Sequence, residues 1–218
     1  TYDSYPLPNC DNGWNSEYYY FTRTVEGKSY PIHCRINVNT KEITELMDEN
    51  TIADGKTCCD ISSFGITKDH KYMSYGIDTN GNEKYELKII NINTGEEFYH
   101  EIPELAYCDY TWYNDWIYYT MGDNQNRMYQ VWRYNTNSKK NELLYENLDE
   151  LSTVGLSMSH DKKYFFISAG SYDTSDCYYF THENTKPVQF TPKIKDHKYS
   201  VDYHEGSFLI TPNMDNSS

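Results

Sequence analysis

The nearest approach to a catalytic nucleophile in this sequence is Gly155-Leu156-Ser157-Met158-Ser159. In a G-x-S-x-G elbow the serine sits on a strained strand-to-helix turn that exposes its hydroxyl beside an oxyanion hole. Here Ser159 stands where the second glycine belongs, no strand-helix-strand pattern flanks the segment, and Ser157 is not assigned as a nucleophile. None of the eleven glycines completes such an elbow elsewhere. Metal chemistry has no better start. Asp78, Asn80, Asn82 and Glu83 have the composition of a calcium loop, but Gly81 comes fourth where an EF-hand needs its glycine sixth, and no glutamate follows at the twelfth position. Asp123-Asn124-Gln125-Asn126 is the equivalent stretch one unit later, so both read as hairpin loops. His33, His70, His100, His160, His182, His197 and His204 form no H-x₃-H or H-E-x-x-H pairing. Cys10, Cys34, Cys58, Cys59, Cys108 and Cys177 contain no C-x-x-C, and two are adjacent, which suits neither a disulfide framework nor a zinc site. They are read as reduced thiols of a cytoplasmic protein. No catalytic, cofactor-binding or metal-ligating residue is therefore expected in the 218 residues, and no cofactor.

Composition narrows what these residues serve. Nineteen Lys and Arg against 33 Asp and Glu give a net charge of −14, which opposes binding to nucleic acid or an anionic membrane. Only 38% of residues are hydrophobic, yet 24 tyrosines raise the aromatic share to 17%, whereas disordered chains are aromatic-poor. The expectation is a folded chain whose apolar surface is largely tyrosine. Residues Thr1 to Asn12 show no basic start or apolar run of export-signal length. Dense apolar stretches such as Tyr164-Phe165-Phe166-Ile167 are far too short to span a bilayer.

The elements that would carry any site are strands. Short β-branched and aromatic runs, separated by Asn, Asp, Gly and Lys clusters, recur throughout, and helical periodicity is nearly absent. Tyr18-Tyr19-Tyr20-Phe21, Tyr72-Met73-Ser74-Tyr75, Trp116-Ile117-Tyr118-Tyr119, Tyr164-Phe165-Phe166-Ile167 and Phe208-Leu209-Ile210 start 54, 44, 48 and 44 residues apart (72−18, 116−72, 164−116, 208−164). A second strand follows each complete one, and then an Asn-Thr turn at 39–40, 93–94, 135–136 and 184–185, where asparagine bonds the backbone two residues on. Such a period, with about four strands per unit, is the signature of β-propeller blades. The class is all-β, a partial propeller spanning 1–218, with about three complete blades plus the start of a fourth. Approximate units are 12–60, 61–108, 109–153, 154–200 and an incomplete 201–218. The long first interval is accounted for by one helical turn within 46–55, ended by Gly55. Lys68-Asp69-His70-Lys71 and Ser159-His160-Asp161-Lys162-Lys163 read as hairpin tips, with their histidines in solvent.

These blades resemble, in order, the propeller of the prolyl oligopeptidase family, in its oligopeptidase B branch. The resemblance is carried by residues 18–35 (Tyr18-Tyr19-Tyr20-Phe21 through Cys34-Arg35), Asp78-Thr79-Asn80-Gly81-Asn82-Glu83-Lys84-Tyr85, Asn93-Thr94-Gly95-Glu96-Glu97, Tyr129-Gln130-Val131-Trp132-Arg133, Leu144-Tyr145-Glu146 and residues 195–202. It implies a seven-bladed propeller capping an α/β-hydrolase domain with a Ser-Asp-His triad, which cleaves short peptides after Lys or Arg. No position here matches a triad residue. The resemblance therefore implies a non-catalytic, substrate-gating portion of such a peptidase, a fragment inactive alone. Its partners would be the missing hydrolase domain or remaining blades, and short basic peptides. A second class stays open: a stand-alone binding or structural module that self-associates or binds another protein through open blade edges.

Overall fold

The computed structural model describes residues 5–6, 17–191, 193 and 195–212. Cys10 and the last six residues of the final unit lie outside them. The chain folds into consecutive antiparallel meanders. The first sheet holds β1 (Tyr5–Pro6), β2 (Tyr18–Arg23), β3 (Ile32–Asn37) and β4 (Ile43–Asp48). After the single helical turn α1 (Glu49–Ala53), the second holds β5 (Asp60–Ile66), β6 (Tyr72–Asp78), β7 (Lys84–Asn91) and β8 (Leu105–Ala106). The third comprises β9 (Tyr110–Tyr113), β10 (Trp116–Gly122), β11 (Met128–Asn135) and β12 (Asn141–Glu146). The fourth comprises β13 (Thr153–Met158), β14 (Phe165–Gly170), β15 (Ser175–Phe180) and β16 (Val188–Gln189). Strands β17 (Tyr199–His204) and β18 (Ser207–Pro212) pair as a two-stranded fifth sheet. The count of about three complete blades is thus corrected to four, followed by half of a fifth. The repeated aromatic runs are each sheet's second strand. The strand before them, such as Asp60-Ile61-Ser62-Ser63 in β5, is polar and largely exposed or half-buried, and gives little apolar signal.

Local chemistry explains the elements. The Asp48 carboxylate caps α1 by accepting from the Asn50 amide, and Gly55 follows at φ +71°. At the turns from third to fourth strands, the asparagine that acts is the one ending the strand. The Oδ1 atoms of Asn37, Asn91 and Asn135 each accept from the amides two and three residues on, at 2.8–3.2 Å. Lys41, Gly95 and Lys139 take left-handed dihedrals at the same point in each turn. In the first two sheets the Asn-Thr pair therefore lies two residues beyond the asparagine that caps the turn. Matching bulges at His33/Cys34 and Val131/Trp132 increase the twist of the first and third sheets.

Packing occurs between sheets, and each seam has its own core. Met47 meets Met73, Tyr75 and Ile77 between the first and second sheets. Leu87, Ile89 and Leu105 meet Ile117, Tyr119 and Tyr134 between the second and third. Tyr118, Met128 and Val131 meet Val154, Phe165 and Ile167 between the third and fourth. Beyond the fourth, Tyr164, Tyr179 and Phe190 contact Phe208, with ring centroids 5.0–5.3 Å apart. Broad rings, paired edge-on or offset, fill the gaps between sheets as a tyrosine-rich composition requires.

Candidate functional site

The residues weighed for chemistry fall into structural roles. Ser157 lies in extended strand β13, exposed and paired with Phe166, with no strand-to-helix turn beside it. The Asp78 carboxylate accepts from the amides of Asn80, Gly81 and Glu83 at 2.7–2.8 Å. Burial works against its ionisation, but these amides outweigh it and hold the carboxyl below its ordinary range. Asp123 does the same work in the next sheet, accepting from the Gln125 and Arg127 amides and from the Arg127 Nε. Among the described residues no group of three His, Cys, Asp or Glu side chains is placed to hold a metal ion. Cys34, Cys58, Cys59, Cys108 and Cys177 are free thiols. Burial raises Cys108 to about 12 and Cys177 to about 11, away from thiolate reactivity. His160 is exposed, as expected of a hairpin tip. His70 is not: its Nδ1 lies 2.6 Å from the Tyr20 hydroxyl and its ring stacks on the Tyr20 ring, so the reading of both histidines as solvent-facing holds for one only.

The cavity that no motif announced is a crater of about 1230 Å³ spanning the second to fourth sheets. Its side walls are two turns of one design. In each, a hydroxyl (Thr67 or Ser159) donates to an aspartate (Asp69 or Asp161) at 2.8 Å and accepts the amide of a tyrosine (Tyr72 or Tyr164) at 3.0 Å. The aspartate also accepts the amide of the second lysine and pairs with its ammonium, at 3.3 Å for Lys71 and 3.1 Å for Lys163. Burial opposes ionisation of both carboxyls, but these donors keep them below the ordinary range. Between these turns the third sheet has only the two-residue hairpin Asn114-Asp115, with Asn114 at φ +52°. The crater is the space left by that short turn. Trp112, Tyr113, Tyr72, Phe98 and Tyr164 supply its aromatic surface, and Lys162, Lys163 and Glu183 some of its charge. The signal in the sequence was the [ST]-x-D-x-K-Y stretch at 67–72 and 159–164 with no counterpart at 113–116.

The other end of the sheets differs. There Asn126 of the β10–β11 turn donates to the Asn82 carbonyl of the β6–β7 turn at 3.4 Å. Large apolar side chains stand in solvent at this end: Tyr107 at 53% exposure, Leu148 at 78%, Leu151 at 84% and Tyr172 at 96%. Segments 103–109 and 147–152 at this end carry Glu104, Asp109, Asp149 and Glu150 with no lysine or arginine of their own, and Lys193 pairs with Asp149 at 3.5 Å. Each wall of the crater, by contrast, has two lysines to one aspartate. No helix among the described residues is long and apolar enough to cross a membrane.

Known proteins share this architecture. The family described as "Prolyl oligopeptidase, N-terminal beta-propeller domain" matches residues 10–217. The chain is 26% identical to Protease 2 of Moraxella lacunata over 91% of its own length and 31% of that protein's. It is 24% identical to dipeptidyl aminopeptidase BI of Pseudoxanthomonas mexicana over 99% of its own length and 32% of that protein's. It thus spans about a third of the length of the curated relatives it matches. Among solved structures, it is similar to oligopeptidase B from Leishmania major, with TM-score 0.82 and 22% identity over 91% of this chain and 30% of that one. It is also similar to oligopeptidase B from Trypanosoma brucei in a closed form with covalently bound antipain, with TM-score 0.81 and 23% identity over 98% of this chain and 31% of that one.

Proposed function

This chain belongs to the prolyl oligopeptidase family through its N-terminal β-propeller domain, and from that premise we propose that it is the non-catalytic, substrate-gating portion of an oligopeptidase B-like serine peptidase that cleaves short peptides after Lys or Arg. The observation that carries this reading is a family match across residues 10–217 of a sequence in which no G-x-S-x-G elbow occurs. The sheets form the wall, and acyl transfer belongs to a hydrolase domain.

The topology supports one arrangement of the two. A four-stranded meander is entered at the start of its first strand and left at the end of its fourth, and these points lie at the same end of the sheet. That is the end bearing the exposed Tyr107, Leu148, Leu151 and Tyr172, a surface suited to a partner domain. The carboxylates Glu104 and Glu150 share it, beside Asp149 paired with Lys193, and the chain's negative balance favours attraction of Lys- and Arg-containing peptides toward the site of cleavage. The crater opens at the opposite end, with aromatic walls across which a peptide can pass. The five free cysteines fit a reducing, cytoplasmic setting.

The test is incubation of the purified chain with an Arg-containing peptide amide. No hydrolysis is expected from this chain alone, and hydrolysis blocked by a serine-directed inhibitor would overturn the proposal. A second reading, a stand-alone binding module, is favoured by one observation: Leu209 and Ile210 on β18 are about half exposed. Gel filtration separates the two, since a discrete dimer or a co-purifying protein favours the second.

A further inference from the structure

The sequence has two Asn-Gly pairs, Asn12-Gly13 and Asn80-Gly81, and the second lies among the described residues. Asparagine is chemically labile, most of all before glycine, because the following backbone nitrogen can attack the side-chain Cγ and glycine has no Cβ to obstruct it. The new N–Cγ bond closes a succinimide as the Cγ–Nδ2 bond breaks, and the amide proton leaves with Nδ2 as ammonia. Water then opens the ring at either carbonyl, giving aspartate or a β-linked isoaspartate. The nucleophile is the ionised amide, so a group that holds this N–H holds back the reaction.

In two turns of this chain every such N–H is held. In the β6–β7 turn, Asn80 is followed by Gly81, whose amide donates to Asp78 Oδ1 at 2.8 Å, and Asn82 by Glu83, whose amide donates to Asp78 Oδ2 at 2.8 Å. The β10–β11 turn repeats the device. Asn124 and Asn126 precede Gln125 and Arg127, whose amides donate to Asp123 Oδ1 at 2.8 and 3.0 Å. Four asparagines are thus followed by four amides bound to two leading carboxylates. Asp78 is buried, at 3% exposure, whereas Asn80 and Gly81 stand in solvent. The carboxamide is open to water while its nucleophile is tied to the interior. Ionising the Gly81 nitrogen would give up a hydrogen bond to a charged group and set a second negative charge beside it.

We propose that Asn80 is a deamidation site kept latent by the Asp78 carboxylate, and that Asp123 guards Asn124 and Asn126 in the same way. The two turns touch across the seam between the second and third sheets, where the Asn82 carbonyl accepts from Asn126 Nδ2 at 3.4 Å. An isoaspartate at position 80 lengthens the backbone of the turn by one carbon and displaces that contact.

The test incubates the full chain in mildly alkaline buffer. Trypsin cleavage after Lys71 and Lys84 releases residues 72–84, and tandem mass spectrometry locates each exchange of NH₂ for OH there and in the peptide carrying Asn124 and Asn126. Folded wild type is expected to convert Asn80 about tenfold or more slowly than the same chain unfolded in guanidinium, where the bonds to Asp78 are absent. Asp78→Ala, verified as folded by near-ultraviolet circular dichroism, should convert Asn80 at close to the unfolded rate and leave Asn124 and Asn126 slow. Asp78→Asn, which keeps the shape but not the charge, should fall between, and Asp123→Ala should spare Asn80. Equal rates at Asn80 in folded and unfolded wild type, or D78A and D78N as slow as folded wild type, would overturn the proposal. Acceleration of Asn80 by D123A would overturn it too, since it marks general loosening in place of a local guard.

Discussion

The seam between the second and third sheets and the seam between the third and fourth use the same strand position for opposite purposes. At the third residue of the second strand, the second sheet has Ser74 and the third has Tyr118. The Ser74 hydroxyl accepts from Trp112 Nε1 and donates to the Tyr110 oxygen, each at 2.9 Å, and the Tyr110 hydroxyl gives its one proton to the Ser63 carbonyl at 2.5 Å. Two residues on, Gly76 leaves room for Cys108, held at φ +53° with its sulfur fully buried. This seam is keyed by small residues and a closed polar network. At the other, Tyr118 stacks on Phe165 at 4.2 Å, and Phe165 on Phe180 at 5.0 Å. Aromatic area does the holding there, with polar links at its two rims, Tyr118 to His182 at one and Arg127 to the Ser152 carbonyl at the other. Blades alike in topology are thus joined at one seam by a polar network around a small residue and at the next by stacked rings.

The largest effect that would sharpen this contrast is Phe165→Ala, expected to cost about 3–5 kcal/mol in urea unfolding because it empties the centre of the aromatic seam. Retention of most stability would mean that seam is held elsewhere. Next comes Gly76→Ala, whose new Cβ would sit 2.9 Å from the Cys108 Cβ and closer still to its sulfur. The expected loss is about 1–3 kcal/mol, partly recovered in the double variant G76A/C108A, and full additivity of the two changes would break the idea of a keyed seam. Ser74→Ala should cost less, about 1–2 kcal/mol, since it leaves Trp112 Nε1 without an acceptor while Tyr110 keeps its carbonyl. The smallest effect is local and pH-dependent. Because the folded chain holds the Asp78 carboxyl below its ordinary range, the order it gives loop 78–83 is fully present above about pH 4. That order is lost as pH falls through the depressed value, and amide exchange at Gly81 and Glu83 should show it. Asp78→Ala should give acid-like exchange at neutral pH, and unchanged exchange would show that the loop is held by other means.

Much of the fold was legible because it is local. The aromatic second strands recur, Gly55 ends one helical turn, and Asn-rich turns follow the third strands. The blade count was under-read because first strands such as β5 present polar edges and carry no apolar alternation. Asp78 and Asp123 were readable as turn residues, since a carboxylate two residues before free amides binds them without help from the rest of the chain. The crater left only the repeated [ST]-x-D-x-K-Y turn as a trace, because residues of the turns at 67–69, 113–115 and 160–163 line one cavity only when three sheets stand side by side.

The sequence by itself determined the strands, their turns, the acidic balance and the lack of a nucleophile elbow, because each depends on residues within a few positions of one another. Only the tertiary structure decided which side chains share a seam. His182 meets Tyr118 across 64 positions and His70 meets Tyr20 across 50. Such pairings depend on how one sheet stacks on the next, and a pattern of period two along a strand does not encode the neighbour it will face.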